Sequence, residues 1–254
     1  MKVSIITVCF NSESTIKETI ESVLSQDYSN IEYIIVDGGS IDKTVDIIKS
    51  YGNKISKWVS EKDEGLYDAM NKGLKMAQGD VVGLINSDDV YIDNGVISTV
   101  LQLLKEKKSD CIYADLVYVD KKNKNKPIRY YDSSHFHINK FRYGWMPAHP
   151  TFFAKKHVYE EVGQFDTSYK IAADFEMLIR ILHINKKSFT YFPSPIIKMR
   201  YGGASTSGLI NNFKLNKEII RACKQNGIYT NLLILLLKIP AKIMGKIKAI
   251  NYKF

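Results

Sequence analysis

Short apolar runs alternate with helical segments from Val3 to Lys105, and this alternation constrains the fold more than any other feature. Val3 to Cys9 and Ile31 to Val36 read as buried strands, Lys57 to Val59 as a weaker one, and Val81 to Ile85 as a fourth. Between them, Ile16, Ile20, Val23 and Leu24 recur at the spacing of an amphipathic helix. Val45, Ile47 and Ile48 belong to a short helix, Leu66 to Ala77 forms a third with Leu66, Met70, Leu74 and Ala77 on one face, and Gly95 to Lys105 a fourth. Strands in this order predict an α/β fold with a parallel sheet covered on both faces. Such sheets bind ligands at the carboxyl ends of their strands. Asn11, Asp37 and Asp88 each fall just past a strand end, so three polar positions converge on one crevice.

The second half has a different texture. Cys111 to Val119 and Ile128 to Tyr131 flank the basic stretch from Lys121 to Lys126, which predicts a hairpin with a solvated tip. Residues 133–149 are aromatic and irregular, and Pro150 to Ala154 is a strand candidate. Ala173 to Leu182 and 209–226 read as helices, with strands at Ser188 to Phe192 and Ile196 to Tyr201. The predicted organisation is one domain in two halves, 1–110 for a nucleotide and 111–215 for an acceptor, followed by a basic helical segment at 216–254.

At 254 residues, 45% hydrophobic and 25% charged, the chain can bury a sizeable globular core. Cys9, Cys111 and Cys223 are widely spaced and odd in number, which argues against a disulfide framework or structural zinc and for a reducing compartment. The N-terminus reads as a strand at once, so no secretory leader is expected. No stretch reaches the ~20 apolar residues of a membrane span. The net charge of +9 is concentrated at the end. After Glu218 there is no acidic residue, whereas Arg221, Lys224, Lys238, Lys242, Lys246, Lys248 and Lys253 follow. Lys238, Lys242 and Lys246 share one helical face, next to Ile239, Ile243 and Ile247. That pattern suits a segment lying on an anionic membrane surface, with Pro240 starting or kinking its helix. Aliphatics interleave the charges with few aromatics, which disfavours nucleic acid as the partner.

Asn86-Ser87-Asp88-Asp89 ends the fourth strand with two adjacent carboxylates. Unpaired buried carboxylates are costly, so a cation is the natural partner. Hard oxygen ligands favour Mg²⁺ or Mn²⁺, ions that hold diphosphates. The competing reading is a polar turn that caps the next helix.

Four blocks, in order, resemble the family 2 glycosyltransferases of GT-A fold. They are Val3 to Asn11; Ile34 to Thr44; Ser60 to Gly73, continued by Ala77 to Gly79 and Asn86 to Asp89; and His149 to Phe153, then Gly163 to Asp166 and Ala172 to Glu176. Together they span about residues 3–205, and the third is similar to the colanic-acid-type transferases of bacterial surface polysaccharide synthesis. The resemblance implies a Rossmann-like, mostly parallel sheet flanked by helices. It also implies transfer of a sugar, with inversion, from a nucleotide-sugar, UDP- or GDP-linked with UDP favoured, to an acceptor hydroxyl.

It implies further that Thr7, Phe10 and Asn11 frame the base and ribose, that Asp37 contacts the base, and that Asp63 lies near the nucleotide. Asn71 would brace the Asp37 or Asp88 region, and Lys72 would face the diphosphate. Asp88 and Asp89 would hold Mn²⁺ or Mg²⁺, with Asp89 the stronger candidate for direct coordination. Ser87 stands where the family motif often has an aspartate.

Asp174 is the candidate general base, with Glu176 as a competitor and Ala173 where the family often has an acid. His149 would line the acceptor site, and Arg200 or Ser205 would touch the diphosphate. The acceptor is expected to be a glycan or lipid-linked glycan, and the protein to lie at the cytoplasmic face of the inner membrane. The alternatives are a nucleotidyltransferase, disfavoured by the lack of a Gly-rich basic loop after the first strand, and a non-catalytic nucleotide-sugar-binding subunit.

Overall fold

Strand β1 (Val3–Cys9) is buried along its whole length and sits inside a parallel sheet. It pairs with β2 (Ile31–Asp37) on one side and β4 (Val81–Asn86) on the other, and β2 pairs with β3 (Lys57–Ser60). Burying each Val or Ile here stabilises the fold by roughly 1.5–3 kcal/mol. The connecting helices are α1 (Ile16–Leu24), α2 (Thr44–Ser50) and α3 (Leu66–Met76). The computed structural model describes residues 1–202 and 208–252. Ser205 and Lys253 lie outside the described residues, as do the side chains of Ile239 and Lys242.

After β4 the sheet continues in mixed fashion. The remaining strands are β5 (Val90–Tyr91), β6 (Cys111–Val119), β7 (Pro127–Tyr131), β8 (Phe153–Lys155) and β9 (Phe189–Arg200). The order is β3-β2-β1-β4-β8-β6-β9-β5, with β7 paired to β6 as the predicted hairpin. Helix α4 (Val96–Lys107) precedes β6, α5 (Lys156–Val162) follows β8, and α6 (Ala173–Leu178) runs into a π-helical turn at Ile179–Ile184. One apolar cluster includes Ile6, Val8, Ile34 and Val36, and the other includes Val3, Ile5, Tyr33 and Ile35, as strand alternation requires.

Several local expectations change. Pro150 lies in a 3₁₀ turn (His149–Thr151), so the strand expected at Pro150 to Ala154 shrinks to Phe153–Lys155. The two strands expected at 188–192 and 196–201 are one strand, whose register shifts opposite Asp115 accommodate Pro193 and Pro195. Leu66 is exposed, and α3 instead buries Tyr67, Ala69, Met70, Asn71 and Gly73.

Helix α7 (Gly208–Gln225) packs on α6, and α8 (Leu232–Leu236) follows with Leu235 buried. Helix α9 (Ile239–Ile250) lies along β7. Its inner side is small, through buried Gly245 and Ala249. A Cβ on Gly245 would come within 2.5 Å of the Tyr130 carbonyl oxygen. Lys248 lies over the Tyr130 ring and pairs with Asp132 at 2.8 Å while staying exposed. Ile243, Met244, Ile247 and Ile250 remain exposed, as do Leu232, Leu233, Leu236 and Leu237 on and beside α8. Among the described residues no helix is long and apolar enough to cross a membrane.

Glu32 fastens the N-terminal edge of the parallel sheet. It is 2% exposed and accepts from Ser4 (2.6 Å), the Gln78 backbone (2.7 Å), Lys2 and Lys57 (both 3.0 Å). Burial opposes its charge, but these donors outweigh burial and hold its pKa down to about 2, from 4.5. A depressed acid contributes stability above its unfolded pKa and loses it as pH falls through the folded value. The contribution is roughly 3 kcal/mol at neutral pH. Urea unfolding of Glu32→Gln is expected to show a deficit of about that size at pH 7 that narrows as pH falls toward 2. A deficit independent of pH would remove Glu32 from the acid linkage.

Candidate functional site

A cavity of about 580 Å³ opens where the carboxyl ends of the first strands meet the second half. Its first wall is the turn after β1. Phe10 stands at the rim, 60% exposed, and Ser12 lines the cavity beside it. Asn11 adopts a left-handed conformation (φ 49°), which asparagine tolerates, and its side chain accepts from the Ile41 backbone at 3.0 Å. Asn11 therefore ties this turn to the loop after β2.

Asp37 shapes that same loop. Its buried carboxylate accepts from the Gly39 and Ser40 backbones (3.1 and 2.9 Å) and from the hydroxyls of Ser40 (2.5 Å) and Ser60 (2.7 Å). Burial disfavours its charge, but these bonds prevail and its pKa lies below the usual value. Asp63 lines the cavity beside this loop: a Cβ on Gly38 would meet Asp63 Oδ2 at 2.3 Å, so a larger residue there would push the Asp63 carboxylate aside.

Thr7 and Asn71 lie inside the fold, off the cavity wall. The Thr7 hydroxyl meets the Tyr33 hydroxyl at 3.1 Å, because Thr7 shares the strand face of Val3 and Ile5. Asn71 bonds both backbone groups of Phe165, at 2.8 and 2.9 Å, and so braces the second half, away from Asp37 and Asp88. Lys72 is held by Glu61 (3.0 Å) and Asp68 (3.3 Å) on the outside of α3.

The second wall is the turn after β4. Asn86, Ser87 and Asp88 line the cavity, whereas Asp89 is fully buried behind them. The Asp89 backbone donates to the Asn86 carbonyl (3.1 Å), and the Asn86 side chain donates to Asp89 Oδ2 (2.9 Å). Asp89 Oδ1 is buried without a partner. Ser87 hydrogen-bonds Ser12 at 2.9 Å, so the position that often holds an acid instead joins the two walls. Burial raises the pKa of Asp88; burial and the Asp88 charge raise that of Asp89 well above the usual range. Arg200 and Lys121 supply the facing positive charge, but Arg200 already pairs with Glu18 at 2.8 Å.

These residues fit a divalent cation. Two crowded carboxylates and an orphaned buried oxygen offer hard ligands with unbalanced charge. Among the described residues no group of three or more His, Cys, Asp or Glu side chains is placed to hold an ion. A site built from one or two carboxylates leaves positions for phosphate oxygens and water, as Mg²⁺-type sites do.

The third wall carries Asp174, at the start of α6, with His149. Asp174 Oδ1 accepts from the Phe175 backbone at 2.8 Å and the Tyr67 hydroxyl at 3.3 Å. Tyr67 also donates to the Ile171 carbonyl at 2.6 Å. Burial raises the Asp174 pKa and lowers that of His149, so it disfavours charge on both; once ionised, Asp174 is a stronger base than an ordinary carboxylate, beside a neutral imidazole. Glu218 on α7 accepts from the backbones of Lys170, Ile171 and Ala172, each at 2.9 Å, and holds the loop leading to Asp174. Glu176 is buried and pairs with Arg180 Nε at 2.8 and 2.9 Å, so it does not compete for the cavity. The sequence analysis assigned no role to Tyr67 or Glu218, because their partners lie far away in sequence. Thus Phe10, Asp63, Asp88, His149 and Asp174 share one cavity, while Asn11, Asp37 and Asp89 shape its walls.

The chain is similar to known proteins in sequence and in fold. The chain is 30% identical over 216 residues to an uncharacterized glycosyltransferase of Rickettsia typhi, covering 83% of this chain and 67% of that one. Its fold is similar to residues 1–349 of S. aureus TarS in complex with UDP-GlcNAc, with a TM-score of 0.68 and 19% identity over 87% of this chain and 66% of that one. It is also similar to the mannosyltransferase PcManGT from Pyrobaculum calidifontis in complex with GDP-Man and Mn²⁺, with a TM-score of 0.62 and 16% identity over 96% and 80%. These neighbours establish the GT-A fold. With the Glycosyl transferase family 2 profile matching residues 4–163 on top of them, this chain belongs to glycosyl transferase family 2 and is a glycosyltransferase.

Proposed function

We propose that the protein transfers a sugar, with inversion and with the help of a divalent cation, from a nucleotide-sugar to an acceptor hydroxyl. The observation that carries this reading is that Asp88 and Asp174 both line one cavity. Phe10 offers a ring face to the base, and Asp63 faces the ribose side of the same wall. Asp37 and Asn11 keep those positions in register through the loop they tie together.

Asp88 would hold the cation with Asp89 behind it. A bound cation neutralises charge developing on the departing diphosphate. The protein does the rest. Asp174 takes the acceptor proton as the new bond forms, and Tyr67 and the Phe175 amide fix its orientation. A raised pKa makes Asp174 a stronger base than an ordinary carboxylate once it has lost its proton. The cavity walls align the hydroxyl behind the anomeric carbon.

A UDP-sugar is the favoured donor, since the TarS complex holds UDP-GlcNAc, although PcManGT holds GDP-Man. The acceptor is a lipid-linked glycan or a growing surface polysaccharide. The exposed aliphatics of α8 and α9, with exposed Lys246, would rest on the cytoplasmic face of the inner membrane.

Thermal unfolding with a panel of UDP- and GDP-sugars, with and without Mn²⁺, tests the reading. A ligand at 100 times its Kd adds about 2.7 kcal/mol. One nucleotide-sugar class is expected to raise Tm only with the metal. No stabilisation by any of them would contradict it.

A further inference from the structure

Charges of both signs line the cavity: Asp63, Asp88 and Asp174, and Arg129, Lys170 and Lys238. Arg129 is unusual among them. It is only 8% exposed, its side chain makes no hydrogen bond or ion pair among the described residues, and its Nε is buried without a partner. Its guanidinium lies against the rings of Tyr118 (5.2 Å) and Tyr131 (5.3 Å). A guanidinium keeps its charge, and burying one without an anion is costly. Ring faces offset only part of that cost.

Strand register explains the placing. Arg129 and Tyr131 alternate onto one face of β7, opposite Tyr118 and Leu116 of β6, and all four line the cavity. Helix α9 closes over the outer side of Arg129: a Cβ on Gly245 would lie 3.3 Å from its Cγ. Lys238, at the start of α9, also lines the cavity and donates to Asn216 at 2.9 Å. The C-terminal segment therefore completes this part of the site.

We infer that Arg129 is an anion subsite for the acceptor, which carries a phosphate-class group. The donor diphosphate does not fill it. Val90, Lys198, Val117 and Tyr130 form one row across β5, β9, β6 and β7. Asp89 precedes Val90 and Arg129 precedes Tyr130, so three strand spacings, about 14 Å in all, separate the backbone of the metal turn from that of Arg129. A group held by Arg129 at that remove belongs to the acceptor side. Planar, two-pronged recognition of phosphate is what a guanidinium does best. The aliphatic surface of α8 and α9 beside this end favours a phosphate carried on a lipid.

This inference rests on the glycosyltransferase reading, and calorimetry separates the two. The full chain is titrated with farnesyl diphosphate, farnesol or inorganic pyrophosphate, in Mn²⁺ with saturating nucleoside diphosphate to fill the donor side. Farnesyl diphosphate is expected to bind at least ten-fold more tightly than farnesol. Arg129→Gln is expected to lose ten-fold or more, and Arg129→Lys to recover part, with nucleotide affinity the same in all three proteins. Pyrophosphate binding as tightly as farnesyl diphosphate, with the same loss in Arg129→Gln, would keep the subsite and assign it to a free phosphate. Equal affinity of wild type and Arg129→Gln for farnesyl diphosphate, or of wild type for farnesol and its diphosphate, would overturn the inference. If nucleotide fails to bind wild type while the dependence on Arg129 persists, the donor reading fails and the anion subsite stands.

Discussion

Asp174→Asn is expected to lower sugar transfer by roughly 10²–10⁴-fold while nucleotide-sugar binding in Mn²⁺ persists. Asparagine keeps the shape and can still accept from Tyr67 and the Phe175 amide, so the wall stays in place. What it loses is the capacity to take a proton. The pH profile carries the same information. Burial raises the Asp174 pKa, so the active, ionised form accumulates only above a value higher than that of an ordinary aspartate. The wild-type rate should rise with pH through that value, and the residual rate of the variant should lack the rise. Full activity in Asp174→Asn would end its assignment as the base.

The second large effect concerns the metal turn. Sequence reasoning favoured Asp89 for direct coordination, but Asp88 is the carboxylate that lines the cavity, and Asp89 is fully buried behind it. Asp88→Asn is therefore expected to abolish metal-dependent nucleotide affinity. Asp89→Asn should weaken it by about 10–100-fold, the usual effect of removing a supporting group. Burial raises the cost of ionising both carboxylates, and the Asp88 charge adds to that of Asp89. A raised acid holds its proton longer folded than unfolded, so the metal-free protein loses stability as pH rises through that window. A cation needs the ionised pair, so its affinity should rise with pH over the same window, and its binding should release protons. Asp89→Asn should flatten that dependence. Calorimetric titration of Mn²⁺ at several pH values measures all of this. A larger loss from Asp89 than from Asp88 would reverse the assignment.

Much of the fold was legible because apolar periodicity reports burial directly. The strands at Val3–Cys9, Ile31–Asp37 and Val81–Asn86, and the helices between them, fall where the pattern put them. The carboxylates were legible as chemistry, since few residue types can serve there. Their division of labour was not. Whether Thr7 faces a ligand or Tyr33 depends on strand parity relative to the cavity, and whether Asn71 reaches Asp88 or Phe165 depends on which loop packs beside α3. Tyr67 and Asp174 are 107 residues apart, and Glu218 meets the Asp174 loop across more than 40. Such pairs leave no local signal. The tail was read as amphipathic, but its glycine and alanine face, which lets α9 approach β7, was invisible without knowing what it would pack against.

Single displacement with Asp174 as base and the diphosphate departing at Asp88 fixes both products. Nuclear magnetic resonance of the glycosylated product, with the released nucleotide identified in the same reaction, is the direct measurement. A nucleoside diphosphate together with a product of opposite anomeric configuration to the donor is the expected result. Retained configuration, or release of pyrophosphate, would contradict it.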